Sequence, residues 1–319
     1  MRSVHLACSP GGHLDLLVAL RDALGDRERT WVTAPGARAG ELASDGERVR
    51  PVPLYGRSPL RALANLRAAL GILVRDRPRL VVTSGAGVVV PFCLLARLLG
   101  ARLVFVETMA RVHALSLTGR VLSRIAERVL VQWPELAAAA PRATVCRPIL
   151  LEAIAPPSEP GAGTLVALGT HHERFTRLVE AVLAAVRGGR LAEPVVIQAG
   201  ATPVANGALR VVEFLPQDEL EAACRSAEIV VAHAGAGIIA TALRAGRRPI
   251  VMARRVALGE HVDDHQLEIT RKLGELGLVI EVQWGIDAGA VARARIAPEA
   301  PPDLLALPSL ADALRAALD

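Results

Sequence analysis

Short runs of valine, leucine and isoleucine recur along this sequence without polar alternation, and stretches with helical periodicity separate them. In the first half these runs are Ser3–Ala7, Thr30–Thr33, Leu80–Thr83, Leu103–Val106 and Arg128–Val131. In the second half they are Leu165–Leu168, Val195–Gln198, Leu209–Glu213, Ile229–His233 and Pro249–Met252. Strands of this kind are typical of parallel sheets with helices on both faces, so the sequence predicts an α/β protein.

The two halves of the sequence are similar to each other. Residues 80–106 and 229–253 each contain an apolar strand, the sequence GAG, an apolar helix and a second strand. Between the halves, CRPILLEAIAPPSEPGAG is dense in proline and glycine, which indicates a linker. A chain of 319 residues also exceeds what one core usually supports. We predict two Rossmann-like domains facing each other across a cleft, residues 1–150 and 163–319, with a linker over 151–162.

Composition excludes several classes of protein. Aromatic residues make up 3% of the chain, which disfavours nucleic-acid binding by base stacking. The four cysteines are scattered without a CxxC pair, which disfavours a zinc ribbon or a disulfide framework and favours reduced thiols. The first residues, MRSVHLACSPGG, contain no apolar segment of signal-peptide length, so we expect a cytoplasmic protein.

Residues Leu80–Ala96 form an uncharged run close to the minimum length of a membrane span. The sequence SGAG and Pro91 interrupt this run, which favours a buried strand, a turn and the start of a helix. A transmembrane helix is the alternative.

Charge is shared unequally between the halves. Residues 1–150 carry 21 arginines against 11 acidic residues, a net charge of +10, and the remainder carries −5, which together give +5. The first half is therefore expected to meet an anionic surface or substrate, although a solvated arginine-rich face would give the same count. Within it, Pro59–Arg77 has a basic amphipathic pattern that suits a lipid interface, with a core-packing helix as the alternative. Its leucine stripe consists of Leu60, Leu63, Leu66, Leu70 and Leu73.

Each half opens with a strand that runs into a polar loop, CSPGGH in the first half and LGTHHERF in the second. In Ser9–His13 (SPGGH) the glycines permit close approach of a ligand, and the helix start offers N–H groups to an anion. The imidazole of His13 can accept a proton near neutral pH. A tight turn capped by serine is the alternative.

The second half has the turn His233–Gly237 (HAGAG), which precedes an apolar helix and suits contact with a diphosphate. After the next strand comes Gly259–Gln266 (GEHVDDHQ). Its carboxylate, imidazole and amide groups suit sugar hydroxyls, which both donate and accept hydrogen bonds. Two alternatives remain: a metal site, because His261 and His265 are four residues apart, and a solvated loop.

These motifs resemble a known family. HAGAG, RRPIV, GEHVDDHQLEI, FLPQDEL and GTHHERFTRLVEAV are similar to the donor-binding half of glycosyltransferase family 28. SPGGHL, TSGAGVVVPF and ETMARVHALSLTGRVLSRIAERVLVQWPEL are similar to the membrane-associated, acceptor-binding subunit of two-subunit transferases that build lipid-linked glycans and bacterial exopolysaccharides. The resemblance spans nearly the whole chain and indicates a fusion of both subunits.

The resemblance implies a GT-B fold and inverting, metal-independent transfer from a UDP-sugar to a polyprenyl-diphosphate-linked saccharide. It also implies no cofactor, no nucleic acid and peripheral attachment to the inner face of the plasma membrane. No separate protein partner is expected, because both halves are fused. The acceptor-binding domain would be residues 1–150, and the donor-binding domain would be residues 163–319.

The resemblance also assigns residues to sites. In the donor half these are Gly169, Thr170, His171, His233, Gly235, Ala236, Gly237, Asp264, His265 and Gln266. Ile238 stands where the family often has threonine. In the acceptor half they are His13, Glu107, Gly11, Gly12, Gly85, Gly87 and Arg111. His13 is the first candidate for the catalytic base and Glu107 the second, with an ion pair between Glu107 and Arg111 as the alternative for the latter.

The donor sugar is expected to be a hexose. Arg254 and Arg255 suggest glucuronic acid, because their guanidinium groups suit its carboxylate. Two other functions are compatible with this reading: a non-catalytic membrane scaffold that recruits a transferase, and a UDP-sugar 2-epimerase of the same fold.

Overall fold

The computed structural model of the chain describes residues 3–56, 58–140, 142–155, 160–169, 172–205, 209–261 and 265–318. The chain divides into two compact units. The first consists of Met1–Pro148 together with Ala306–Asp319, and the second is Ile149–Leu305.

The first unit is built on a seven-stranded parallel sheet. Its strands are β1 (Val4–Ala7), β2 (Arg29–Thr33), β3 (Arg48–Pro51), β4 (Leu80–Thr83), β5 (Arg102–Val106), β6 (Arg128–Val131) and β7 (Ala143–Val145). They lie in the order β3-β2-β1-β4-β5-β6-β7. The five predicted strands are confirmed. The prediction missed β3 and β7, which form the two edges of the sheet and are only partly buried, so they lack a continuous apolar run.

Five helices follow the strands of this sheet in sequence. They are α1 (Gly12–Ala19), α2 (Ala37–Ser44), α3 (Pro59–Asp76), α4 (Val90–Leu98) and α5 (Leu117–Ile125). The α3 helix begins where the sequence favours a start, with Pro59 at its first position and the Ser58 hydroxyl accepting from the Arg61 N–H at 3.4 Å. The side chains of Phe92, Phe105 and Leu122 pack in the core beneath α4 and α5.

The uncharged run at residues 80–96 is not a membrane span. It consists of β4, a short 3-10 helix at Gly87–Val89 and most of α4. Within the described part of the chain, no helix is both long enough and apolar enough to span a bilayer. The alternative of a transmembrane helix here is therefore wrong, because Gly85 and Gly87 separate the strand from the helix.

The second unit repeats this architecture with six parallel strands. They are β8 (Thr164–Ala167), β9 (Val195–Gln198), β10 (Arg210–Val212), β11 (Ile229–His233), β12 (Ile250–Met252) and β13 (Ile280–Glu281). Their order is β10-β9-β8-β11-β12-β13. The five predicted strands are again confirmed, and the two-residue edge strand β13 was missed.

Helices cover both faces of the second sheet. They are α6 (Thr176–Arg187), α7 (Gln217–Ser226), α8 (Ala236–Arg244), α9 (His265–Glu275), α10 (Ala288–Ala294) and α11 (Pro302–Leu305). The α6 and α10 helices pack on one core, and α7 and α8 pack on another. Each core takes alternate residues from the strands, as burial on both faces requires.

The last helix, α12 (Leu310–Leu318), belongs to the first unit, which corrects the predicted extent of the second domain. Leu310, Leu314 and Leu318 are buried, and Arg102 on β5 donates to the carbonyls of Ala317 (3.1 Å) and Leu318 (3.2 Å). An amphipathic helical pattern predicts a helix but not the surface on which the helix packs. The sequence therefore could not show that α12 packs on the first unit.

The predicted linker also differs from the structure. The boundary between the two units falls between Pro148 and Ile149. Residues Ile149–Ala153 form a 3-10 helix of the second unit. Ala155 donates its N–H to the carbonyl of Leu243 at 3.2 Å, so it too is anchored in that unit. Residues 156–159 lie outside the described residues.

Leu314→Ala is expected to destabilise the first unit by about 2–5 kcal/mol, because it leaves a cavity under α12. Urea unfolding followed by fluorescence reports mainly this unit, since Trp31 and Trp133 are buried within it, whereas Trp284 of the second unit is already 62% exposed in the folded chain. Arg315→Ala, at an exposed position of the same helix, should change little. A Leu314→Ala protein with an unchanged tryptophan transition would contradict the assignment of α12.

Candidate active site

In the first unit, three neighbouring strands bring the predicted acceptor residues to one edge of the sheet. The strands β1, β4 and β5 are adjacent and parallel, so the loops that follow them meet at their carboxyl ends. Gly11, Gly12 and His13 follow β1, Gly85 and Gly87 follow β4, and Glu107 follows β5 directly. Ligands of such sheets bind at this edge, where the strand order reverses.

His13 lies in the first turn of α1 and is half-buried. Its Nδ1 atom lies 2.9 Å from the carbonyl oxygen of Ser84, and the Ser84 hydroxyl donates to the carbonyl of His13 at 3.0 Å. A carbonyl only accepts, so Nδ1 carries the hydrogen and Nε2 is the basic nitrogen of the neutral ring. The two bonds fix the imidazole between the loops after β1 and β4.

The loop after β4 is conformationally strained. Gly85 has φ 88°, and a Cβ atom there would lie 3.1 Å from Oγ1 of Thr118. Next to it, Ala86 has φ 78° and ψ 145°, a region that residues other than glycine rarely adopt. Thr83 supports the loop, because its hydroxyl accepts from the Gly85 N–H at 3.0 Å and donates to the carbonyl of Ala7 at 2.6 Å.

Glu107 is buried, and both oxygens of its carboxylate accept hydrogen bonds from the protein. Oε1 accepts from the N–H of Thr108 at 3.0 Å, and Oε2 accepts from the N–H and the hydroxyl of Ser116, each at 3.0 Å. Burial raises the pKa of Glu107, while these hydrogen bonds and the charge of Arg111 oppose the rise. Ser116 also caps α5 through Gly119, so Glu107 holds residues 108–116 against the start of that helix.

In the second unit, the adjacent strands β8, β11 and β12 bring Gly169, the HAGAG turn and Arg254 to the equivalent edge. Of the predicted donor residues, Thr170, His171 and Asp264 lie outside the described residues, and His265 is described only as the first residue of α9. Their roles stay predictions.

The ring of His233 occupies the space beside two of the predicted glycines. A Cβ atom on Gly235 would lie 2.2 Å from Nε2 of His233, and one on Gly169 would lie 2.7 Å from Cε1. Nδ1 of His233 lies 3.2 Å from the carbonyl oxygen of Ala167, to which it donates. Both glycines are therefore required to accommodate an imidazole ring, whereas the sequence had suggested that Gly235 makes room for a diphosphate.

The start of α8 is open. Ala236 and Gly237 are exposed, and a Cβ atom on Gly237 would meet nothing within 4 Å. The first N–H groups of a helix have no partner within the helix and attract anions. Ile238 points into the core, so this position provides neither a hydroxyl nor a polar contact.

Gln266 and Arg254 are buried together. The Oε1 atom of Gln266 accepts from the backbone N–H of Arg254 at 3.2 Å. Arg254 is only 1% exposed, so the expectation that it pairs with a substrate carboxylate at the surface is not met. Among the described residues, no group of three or more His, Cys, Asp and Glu side chains is arranged to hold a metal ion.

Phe214 was missed by the sequence reasoning. It follows β10 at the same edge of the second sheet and is 60% exposed, whereas Phe92, Phe105 and Phe175 are fully buried. The signal was available in FLPQDEL, where a lone aromatic residue stands between a strand and the helix that begins after Pro216.

The sequence matches two protein families in tandem. Residues 47–148 match the family described as "Oligosaccharide biosynthesis protein Alg14 like", and residues 164–282 match the "Glycosyltransferase family 28 C-terminal domain". The Alg14 subunit of a UDP-N-acetylglucosamine transferase from Yarrowia lipolytica is 35% identical over 95 residues, which are 28% of this chain and 44% of that protein.

A longer relative covers both halves. It is the UDP-N-acetylglucosamine–N-acetylmuramyl-(pentapeptide) pyrophosphoryl-undecaprenol N-acetylglucosamine transferase of Xylella fastidiosa strain Temecula1. It is 30% identical over 280 residues, which are 82% of this chain and 74% of the relative. The chain belongs to glycosyltransferase family 28. Its fold is similar to that of MurG from Acinetobacter baumannii, with a TM-score of 0.68, 17% identity and coverage of 99% of both chains. The predicted GT-B fold and the prediction of a family 28 glycosyltransferase are confirmed.

Replacing Gly235 or Gly237 of this family 28 transferase by alanine is expected to change the free energy of unfolding in opposite directions. Gly235→Ala places a methyl group within the His233 ring, so the second unit should lose about 1–3 kcal/mol of unfolding free energy. Gly237→Ala points into open space at the start of α8 and should raise that free energy by up to about 1 kcal/mol. Denaturant unfolding followed by circular dichroism measures both. Equal effects of the two substitutions would contradict the placement of the His233 ring.

Proposed function

We propose that this chain is an inverting hexosyltransferase that moves a sugar from a UDP-sugar to a polyprenyl-diphosphate-linked saccharide. The observation that carries the proposal is the tandem match of an Alg14-like segment and a family 28 donor domain within one chain. In the reaction, the acceptor hydroxyl attacks the anomeric carbon and the bond from that carbon to the diphosphate breaks. UDP leaves with the electron pair, and the hydroxyl proton passes to a base.

The second unit is the proposed donor site. The open start of α8 can take the diphosphate on the N–H groups of Ala236 and Gly237, which stabilises the charge that develops on UDP. Phe214 offers an exposed aromatic face on which the uracil base can stack. Under this proposal no metal ion is needed for departure of UDP, so chelators should leave transfer intact.

His13 is the proposed base. Its Nδ1 donates to the carbonyl of Ser84, so in the neutral ring Nε2 is the nitrogen that can take the hydroxyl proton. Glu107 is less suited, because the protein already provides hydrogen-bond donors to both of its carboxylate oxygens. Its proposed role is to hold the loop that leads to α5.

The donor proposed first is UDP-N-acetylglucosamine, which both named relatives use according to their names. UDP-glucuronate is the second candidate. The support for glucuronate was a pair of arginines, but the Arg254 side chain donates to backbone carbonyls and the Arg255 side chain donates to Oε1 of Gln283 at 3.0 Å.

UDP release from a panel of UDP-sugars, with and without an undecaprenyl-diphosphate saccharide, tests the function. We expect release only with the lipid acceptor, and most rapidly from UDP-N-acetylglucosamine. His13→Asn retains a donor to Ser84 but removes the base, so kcat should fall by about 10²–10⁴-fold while the Kd for UDP is unchanged. Lipid binding without UDP release would support the scaffold instead. Conversion of the donor sugar without any acceptor would support the epimerase.

Membrane attachment is proposed for the first unit. On α3, Leu60 is 80% exposed and Leu63, Leu66 and Leu70 are also exposed, whereas Leu73 is buried in the core. The neighbouring α4 adds Leu98, which is 81% exposed. Arg61, Arg67, Arg75 and Arg77 around these leucines are exposed as well. Apolar side chains surrounded by arginines suit an anionic bilayer surface.

Sedimentation with vesicles that contain an anionic phospholipid tests this attachment. Leu60→Asp or Leu98→Asp should each lower the partition coefficient by about tenfold or more, since immersing one leucine contributes about 1.5–3 kcal/mol. Ile296→Asp, at an exposed apolar position of the second unit, is the matched control and should have no effect. Equal losses in all three variants would exclude α3 and α4 as the contact.

A further inference from the structure

Arg254 has its guanidinium group buried behind the edge of the second sheet that carries the proposed donor site. One terminal nitrogen donates to the carbonyl of Glu173 at 2.8 Å and to that of Glu260 at 3.1 Å. The other donates to the carbonyl of Leu168 at 2.9 Å. A single side chain therefore connects two points of the backbone after β8, Leu168 and Glu173, with a third after β12, Glu260.

These points are the ends of the two segments that hold the predicted donor residues. Leu168 and Glu173 bound the segment that follows β8. Glu260 begins the segment that follows β12, and Gln266 ends it by accepting from the backbone N–H of Arg254 at 3.2 Å. The Arg254 side chain thus holds both ends of the first segment and the start of the second, and its backbone N–H holds Gln266 at the end of the second.

A second buried arginine reinforces the same junction. Arg177 makes a two-pronged ion pair with Glu260, with distances of 3.0 Å and 2.7 Å, and donates to the carbonyl of Ala253 at 2.6 Å. The Glu260 carboxylate also accepts from the N–H of Arg255 at 3.0 Å. The guanidinium groups of Arg254 and Arg177 lie 4.6 Å and 5.4 Å from the centroid of Phe175, close enough for cation–π attraction.

A direct role for Arg254 in binding the donor does not fit this geometry. Its terminal nitrogens already donate to three carbonyls, and its side chain is buried. Burying a charge against neutral carbonyls is costly, and burial lowers the pKa of Arg254. A lysine cannot replace this contact, because its ammonium group lacks the planar fork that spans separate carbonyls.

We propose that Arg254 is a positioning residue for sugar transfer, which sets the spacing of the backbone at Leu168 and Glu173 relative to that at Glu260 without touching the donor. The proposal rests on the proposed function. It joins these three points in one mechanical unit, so substituting Arg254 loosens the ends of both segments together. The unit determines how well the donor is held before the chemical step.

The test compares Arg254→Met, Arg254→Lys and a matched control, Arg248→Met. Arg248 flanks the opposite end of β12 and donates to one carbonyl, that of Ala297, at 2.9 Å. Two measurements are made on the full chain: hydrogen exchange of peptides covering 168–173 and 260–266, and kcat and KM for the UDP-sugar donor. Arg254→Lys keeps the charge and provides a folded comparison should the methionine variant unfold.

Both Arg254 variants are expected to exchange faster in both segments and to raise the donor KM by about tenfold or more, with a smaller change in kcat. The lysine variant should show the milder effect, and Arg248→Met should match the wild type. Faster hydrogen exchange in only one of the two segments would overturn the proposal. So would a lysine variant in which both segments exchange faster but the donor KM is unchanged. If the wild type transfers no sugar, the proposed function fails while the exchange result still tests the coupling of the two segments.

Discussion

Parallel pairing of strands is the constraint on which the rest of this structure depends. Every strand of a parallel sheet must be followed by a crossover, so the loops at the carboxyl ends collect on one edge whatever their sequences. In the first unit this edge gathers the loops of His13, Gly85 and Glu107, which lie far apart in sequence. In the second it gathers Gly169, the HAGAG turn and Arg254. The sheets provide positions, and these few loops carry the candidate site residues.

The two GAG turns show that a repeated motif need not be used in the same way. In the first unit the glycine conformation itself matters, because Gly85 has φ 88° and the adjacent Ala86 is strained. In the second unit Gly235 has an ordinary extended conformation, and the missing side chain matters because the His233 ring takes its place. The similarity of the halves therefore reflects a shared strand–turn–helix geometry, on which different contacts have been built.

The sequence predicted what is determined locally. Central strands such as β1 and β11 are buried on both faces, so their apolar runs were visible, whereas β3 and β13 lie at sheet edges and carry no such run. The candidate residues His13 and Glu107, in the segments after β1 and β5, lie at the carboxyl edge of the sheet, where the strand pattern predicted them. Their partners were not predictable, because the contacts of Glu107 with Ser116 and of Arg254 with Leu168 join segments that only the fold brings together.

Long-range contacts also bring together the buried charged side chains behind the proposed donor edge. Among the described residues, the buried charged side chains of the second unit are Arg177, Arg254 and Glu260, which leaves one net positive charge behind this edge. Arginine remains protonated even when burial lowers its pKa, so this charge is fixed. It has the same sign as the positive end of α8, so both attract an anion to this edge. A diphosphate placed at this edge would be stabilised by charges that need no reorganisation when UDP leaves, which is the condition that the proposed transfer without a metal ion requires.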